Sequence, residues 1–230
     1  MSAAAAADWL AEAWETGNPL APFPPDLAPA GVAAGEAIAA ELVERLGLPV
    51  CGVRLAPAPG GGWLSAPLLE PRMLRAGTPV ALATMRHPRV SAGVLGVLGE
   101  PLEDEAPVFS ALHPVLDIAA GRYRDVAADA AHLVADLAGL GLVLVGKRFT
   151  GPLPAEAAAR VGRTGTRPAA LAAPLGALMA QAAAEARRWG GLPAGAVLVV
   201  AGLGGVAQPA VPGKWSAAVP PVGRITAELA

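Results

Sequence analysis

The chain has 230 residues, of which 54% are AVILMFWYC, 16% are charged and 4% are aromatic; Ala alone fills 55 positions, so a mean hydropathy of +0.48 overstates the area it can bury. Its 17 basic and 19 acidic residues leave no field to steer nucleic acid or anionic lipid, and the single cysteine, Cys51, excludes an internal disulfide framework or a multi-cysteine metal site. The length suits one large domain or two small ones.

The opening stretch MSAAAAADWLAEAWETG has no basic n-region and carries Asp8, Glu12 and Glu15, which predicts a cytoplasmic start without a secretory leader. A short helix is expected over 8–16, with Trp9, Leu10, Ala13 and Trp14 on one stripe, then a Pro-rich connector over 18–30. Ile38, Leu42 and Leu46 align at helical spacing before Gly47, predicting a helix over 32–46. A strand over 48–55 precedes the breaker run PAPGGG at 57–62. Residues 1–62 thus read as an N-terminal helical region and 63–230 as the main domain.

Beyond 78, β-branched runs predict strands over 79–84, 90–98, 140–145, 196–201 and 222–229, with helices between them over 107–120, 126–138 and 168–189. The mixture has no regular strand–helix alternation, which indicates an α+β fold. The uncharged run 189–213 contains seven Gly and three Pro, so it would leave backbone groups unsatisfied in lipid, and no membrane span is expected.

Few local motifs carry chemistry. Gly202–Ala207 fits G-x-G-x-x-A after a strand, but Pro209 and Pro212 forbid the helix a dinucleotide site needs, so a tight strand-to-strand turn is expected. His87, His113 and His132 show no metal-ligand spacing, although a helix would bring His113 and Asp117 to one face. Glu100, Glu103, Asp104 and Glu105 read as a solvated loop. Arg122, Arg124, Lys147 and Arg148 follow apolar segments and could line an anion pocket or simply face solvent.

Taken together, several stretches resemble the 2-keto-4-pentenoate hydratase and 4-oxalocrotonate decarboxylase group of the fumarylacetoacetate hydrolase superfamily. The C-terminal GGLPAGAVLVVAGLGGVAQPAVPGKWSAAVPPVGRITAEL is similar to the family's L-x-x-G-D-x-(I/V)-L-x-G-S, p-G-D and closing segments, and PLGALMAQAAAEARR at 174–188 to its hPxxavawLAnxLa helix. Residues 115–123, VLDIAAGRY, resemble A-L-E-(I/L)-(V/I)-D-(S/A)-R, and 128–131, ADAA, resemble (A/S)-D-N-A. HPRVSAGVL at 87–95 falls where the family has xPRxExExAF, and the helix 32–46 with Gly52–Leu55 matches the approach to G-x-K-(I/V)-G-L-T-S. The resemblance implies a fumarylacetoacetate hydrolase-like mixed sheet, or β-roll, with flanking helices.

It also implies a Mg²⁺ or Mn²⁺ site made by two carboxylates of the ExE strand and one of the A-L-E segment, with a lysine assisting. Here those positions hold Ser91, Gly93, Asp117 and Arg54. One carboxylate does not organise octahedral Mg²⁺ unaided, and an arginine does not act as a general base. The reading that follows is a hydratase-like protein without the family's metal chemistry and with no cofactor, Mg²⁺ or Mn²⁺ entering only if the site is rescued. It binds a small oxo-acid-like carboxylate or a partner subunit, in a homo-oligomer or a complex with another enzyme subunit. Asp117, Arg54 and His87 are the catalytic candidates; Arg122, Ser91, Asp129 and Gly202 are the ligand-binding ones. The alternatives are a metal-independent lyase, a hydro-lyase or decarboxylase acting on a 2-oxo acid or enol, and a structural subunit.

Overall fold

A computed structural model describes residues 2–18, 23–125 and 129–230. Two helices open it, α1 (Ala3–Thr16) and α2 (Val32–Leu46), each closed by a glycine in the left-handed region, Gly17 and Gly47. The strands β1 (Val50–Pro57), β2 (Trp63–Leu69), β3 (Met73–Arg75), β4 (Arg86–Leu98), β5 (Phe109–Gly121) and β6 (Leu140–Val145) follow, with α3 (Ala130–Ala135) between the last two. The chain finishes with β7 (Ala157–Arg163), β8 (Leu171–Ala173), α4 (Leu175–Arg188), β9 (Val197–Pro209), β10 (Gly213–Val219) and β11 (Gly223–Leu229).

These strands make a seven-stranded mixed sheet, ordered β2-β1-β9-β4-β5-β6-β3, and a four-stranded sheet, ordered β11-β10-β7-β8. Alternation along the strands gives the large sheet two buried faces. Val53, Leu55, Val90, Val94, Leu116 and Ile118 pack toward the small sheet and α4. Leu64, Leu68, Leu95, Val115, Val143 and Val199 pack under α1, α2 and α3. The expected α+β architecture, a mixed sheet with flanking helices, is therefore present, and β1 enters the large sheet beside β9 in parallel.

Several local expectations are corrected. Residues 109–121 form β5 instead of a helix, because β4 and β6 both hydrogen-bond to it and satisfy its backbone on each side. The segment 79–84 is no strand; Val80 makes a single bridge to Leu229 before a 3-10 turn over Leu82–Thr84. Helix α4 starts only after Pro174, leaving 171–173 as the edge strand β8, and α3 covers Ala130–Ala135 of the predicted 126–138, with 126–128 outside the described residues. No turn forms at 202–207. Gly202, Gly204 and Gly205 adopt φ of 75, 84 and 99° inside β9 and bend it, so its register on β4 shifts twice between Val90 and Val94.

Candidate functional site

Arg54 on β1 lies between Val53 and Leu55, which face the small sheet, so its side chain runs under the helices on the opposite face. There its Nε and Nη2 donate to Oδ1 and Oδ2 of Asp117 on β5 at 2.7 and 2.8 Å, a two-pronged ion pair. Arg54 Nη1 donates to the carbonyl of Ala138 at 3.0 Å. Ser91, opposite Asp117 in the β4–β5 register, donates from Oγ to Asp117 Oδ2 at 3.4 Å and accepts from the Gly202 amide at 3.0 Å. Arg54, Ser91 and Asp117 are 2, 3 and 1% exposed. Four residues named from the sequence, 54, 91, 117 and 202, thus meet in one closed network. Among the described residues, no buried side-chain nitrogen or oxygen lacks a hydrogen-bond partner.

These residues do not fit a divalent cation. Both oxygens of the single carboxylate are held by a guanidinium, whose charge repels a metal ion, and Ser91 offers one hydroxyl where Mg²⁺ asks for about six oxygens. Gly93 offers none. A Cβ built there would lie 2.5 Å from the Val200 carbonyl and 2.8 Å from Val115 Cγ2, so a carboxylate at this position needs the strands to move apart. Among the described residues, no three His, Cys, Asp or Glu side chains assemble for a metal.

A second polar cluster adjoins this one. Arg122, at the end of β5, is 9% exposed; its Nη1 donates to Ala120 O at 2.7 Å and lies 3.6 Å from Asp136 Oδ1. Asp136 is fully buried, accepts from the Arg122 amide at 2.9 Å and from Trp14 Nε1 at 3.2 Å. The Trp14 ring carries the Arg122 guanidinium at 3.5 Å and that of Arg72 at 4.5 Å from its centroid. Burial pushes Asp136 up to about 6 against the pull of Arg122, and pushes Arg122 down to about 10. Beside the cluster runs a groove of about 380 Å³ walled by Trp14, Arg72, Arg86, Arg122, Thr84 and Asn18.

The remaining candidates lie elsewhere. His87 is exposed, sits at φ 45° where β4 bulges, and reaches the Arg124 carbonyl at 2.7 Å instead of the Arg54–Asp117 pair. Asp129 caps α3, accepting from the His132 amide at 2.9 Å, so its task is local. His113 and Asp117 share a face of β5, but four residues of strand separate them by about 13 Å; His113 bonds to Gly146 O at 2.9 Å. Arg124, Lys147 and Arg148 face solvent, and the acids at 100–105 form an exposed loop. Arg72 and Asp136 are not among the candidates named from the sequence, and Trp14 stands there only as part of a helical stripe. The detectable sign was Asp136 itself, an acid inside the apolar run HLVADLAGLGLVLV, which is where a buried charge needs a partner.

No family model matches the chain, and no curated protein matches it in sequence. Solved structures do. The 4-oxalocrotonate decarboxylase of Pseudomonas putida G7, complexed with magnesium and adipate, is 17% identical with a TM-score of 0.78, over 99% of this chain and 97% of that one. The fumarylpyruvate hydrolase of Pseudomonas aeruginosa, in complex with Mn²⁺ and pyruvate, is 13% identical with a TM-score of 0.57, over 79 and 90%. The 2-hydroxyhepta-2,4-diene-1,7-dioate isomerase of Mycobacterium marinum is 15% identical with a TM-score of 0.56, over 79 and 76%. The fold is shared with 4-oxalocrotonate decarboxylase along nearly the whole chain, in agreement with the group indicated by the sequence resemblance.

Proposed function

We propose that this protein is a divergent hydratase-like member of the fold that has exchanged the metal centre for the Arg54–Asp117 pair, and that it binds a small oxo-acid-like carboxylate without metal-dependent hydration. The observation that carries the reading is the closed pair itself: the position where the resemblance puts metal ligands holds a neutralised, buried arginine–aspartate contact. The adjoining groove supplies what a carboxylate needs, three guanidiniums on Arg72, Arg86 and Arg122 with an indole wall. A cytoplasmic setting goes with this reading, given one unpaired thiol.

Titration with pyruvate or 2-oxopentanoate, read by tryptophan fluorescence, tests it. Saturable binding is expected, weakened about tenfold or more by Arg72→Ala or Arg86→Ala, with no change on adding Mg²⁺ or Mn²⁺. Metal-dependent turnover of 2-hydroxypenta-2,4-dienoate overturns it, as does binding indifferent to both substitutions. The metal-independent lyase is less well supported, because an acid or base at Asp117 would be 1% exposed with both oxygens engaged. A partner-subunit role has one observation in its favour, the exposure of the large apolar side chains Val206 (85% exposed), Val211 and Leu171.

A further inference from the structure

Arg160 of β7 and Arg224 of β11 both stand in register with Ala218 of the intervening β10. Two strand spacings put their Cα atoms about 10 Å apart, on the outer face of the small sheet, with only a methyl group between them. One pleat further along, the same strands present Gly162, Ser216 and Thr226. The loop after β7 folds back over this floor. A Cβ at Gly162 would lie 2.7 Å from Thr166 Oγ1 and 3.1 Å from Pro168 Cγ, so glycine is what admits the loop onto the strand. Thr166 fastens the turn by donating from its amide and hydroxyl to the Arg163 carbonyl, at 3.0 and 2.6 Å. Arg163 and Arg167 thereby join Arg160 and Arg224 around a concavity of about 300 Å³.

All four arginines are exposed, and among the described residues none of them makes an ion pair. Arg224 Nε donates to Ser216 Oγ at 2.9 Å. No carboxylate lines the concavity, and the acid closest along β11, Glu228, stands opposite Lys214. In a chain of net charge −2, four uncompensated guanidiniums around one hollow form a concentrated anion trap. The lining also lacks aromatic and large aliphatic side chains, so it offers a nucleobase or an acyl chain nothing to pack on.

We propose that this concavity is a phosphate site that takes the diphosphate or triphosphate group of a small molecule, read through its phosphoryl oxygens by the guanidinium forks and the Ser216 hydroxyl, whose own proton is left free by the bond it accepts from Arg224. Because only the phosphates are gripped, inorganic pyrophosphate and a nucleoside diphosphate bind alike.

Calorimetric titration of the full chain with pyrophosphate, ADP and succinate in phosphate-free buffer of low ionic strength tests this. Pyrophosphate and ADP are expected to bind with similar affinity and succinate about tenfold or more weaker. Arg160→Ala and Arg224→Ala each lower pyrophosphate affinity about tenfold, whereas Arg45→Ala, at the exposed Asp8 pair, leaves it unchanged. Absence of binding at millimolar pyrophosphate overturns the proposal. So does an equal loss on Arg45→Ala, or a loss on Arg72→Ala with none on Arg160→Ala. Salt-sensitive self-association abolished by Arg160→Ala, without pyrophosphate binding, would instead make this face a contact for the acidic loop of a second copy.

Discussion

Arg54 and Asp117 stabilise each other because neither has water to turn to: desolvating each ion costs several kcal/mol, and two short hydrogen bonds and the Ala138 carbonyl offset that cost. Removing one partner is therefore worse than removing both. Arg54→Ala is expected to lose about 3–5 kcal/mol in urea unfolding, while Arg54→Met combined with Asp117→Leu stays near wild type or gains. Asp136 gives a different signature. Its pKa rises from 3.8 to about 6 on folding, so the folded chain holds that proton more tightly; the contribution is fully present below about pH 4 and is lost as pH rises through 6. The stability difference between wild type and Asp136→Asn should accordingly fall between pH 4 and pH 6 in denaturant titrations. Cys51 is half-buried with its thiol pushed up to about 11, by burial first and then by the Glu70 charge. It should react with iodoacetamide at neutral pH more slowly than a free thiol.

Among the elements, the central strands β4, β5 and β9 are constrained by close backbone approaches as much as by side chains. Gly52 faces the Val197 carbonyl at 1.9 Å from an ideal Cβ, and Gly93 faces that of Val200 at 2.5 Å. Gly93→Ala is expected to cost about 1–3 kcal/mol, measured by thermal unfolding, and Gly93→Glu more, so putting back a carboxylate alone does not rebuild a metal centre. The strand β5 shows where residue patterns mislead. Its run FSALHPVLDIAAG contains an apolar repeat that a helix satisfies equally well, and Pro114 inside it argues against a central strand. Pro114 is tolerated because its carbonyl still accepts from Gly146 while Asp117 and Ser91 fix the register. Helices α2 and α4, by contrast, end where Gly47 and the basic pair Arg187–Arg188 stand in the sequence.

At the scale of the whole molecule, the large sheet carries two cores: one shared with the small sheet, and one roofed by α1, α2 and α3. The Arg54–Asp117 pair and the Trp14 cluster both lie under the roof, so the groove depends on α1 staying docked. Helix α1 is Ala-rich and packs mainly on α2, whereas β4 is paired on both sides. Hydrogen exchange is expected to open α1 at lower free energy than β4, β5 and β9, with Trp14 emission shifting in parallel. Among the described residues, no helix is long and apolar enough to cross a membrane.

The sequence by itself determined the helix over 32–46, the strand over 140–145, the α+β class and the lack of a carboxylate at 91 and 93, because these depend on local spacing or residue identity. Through the family resemblance it also marked Arg54, Ser91 and Asp117, and Gly202 through the strand-end glycine run, without showing that they touch. Only the tertiary structure decided what they do. Arg54 and Asp117 are 63 positions apart, and the direction of a side chain across a curled sheet is set by pairing partners that no local window contains. The same holds for Trp14 and Asp136, 122 positions apart, and for the four arginines that strand register and one folded-back loop gather on the small sheet.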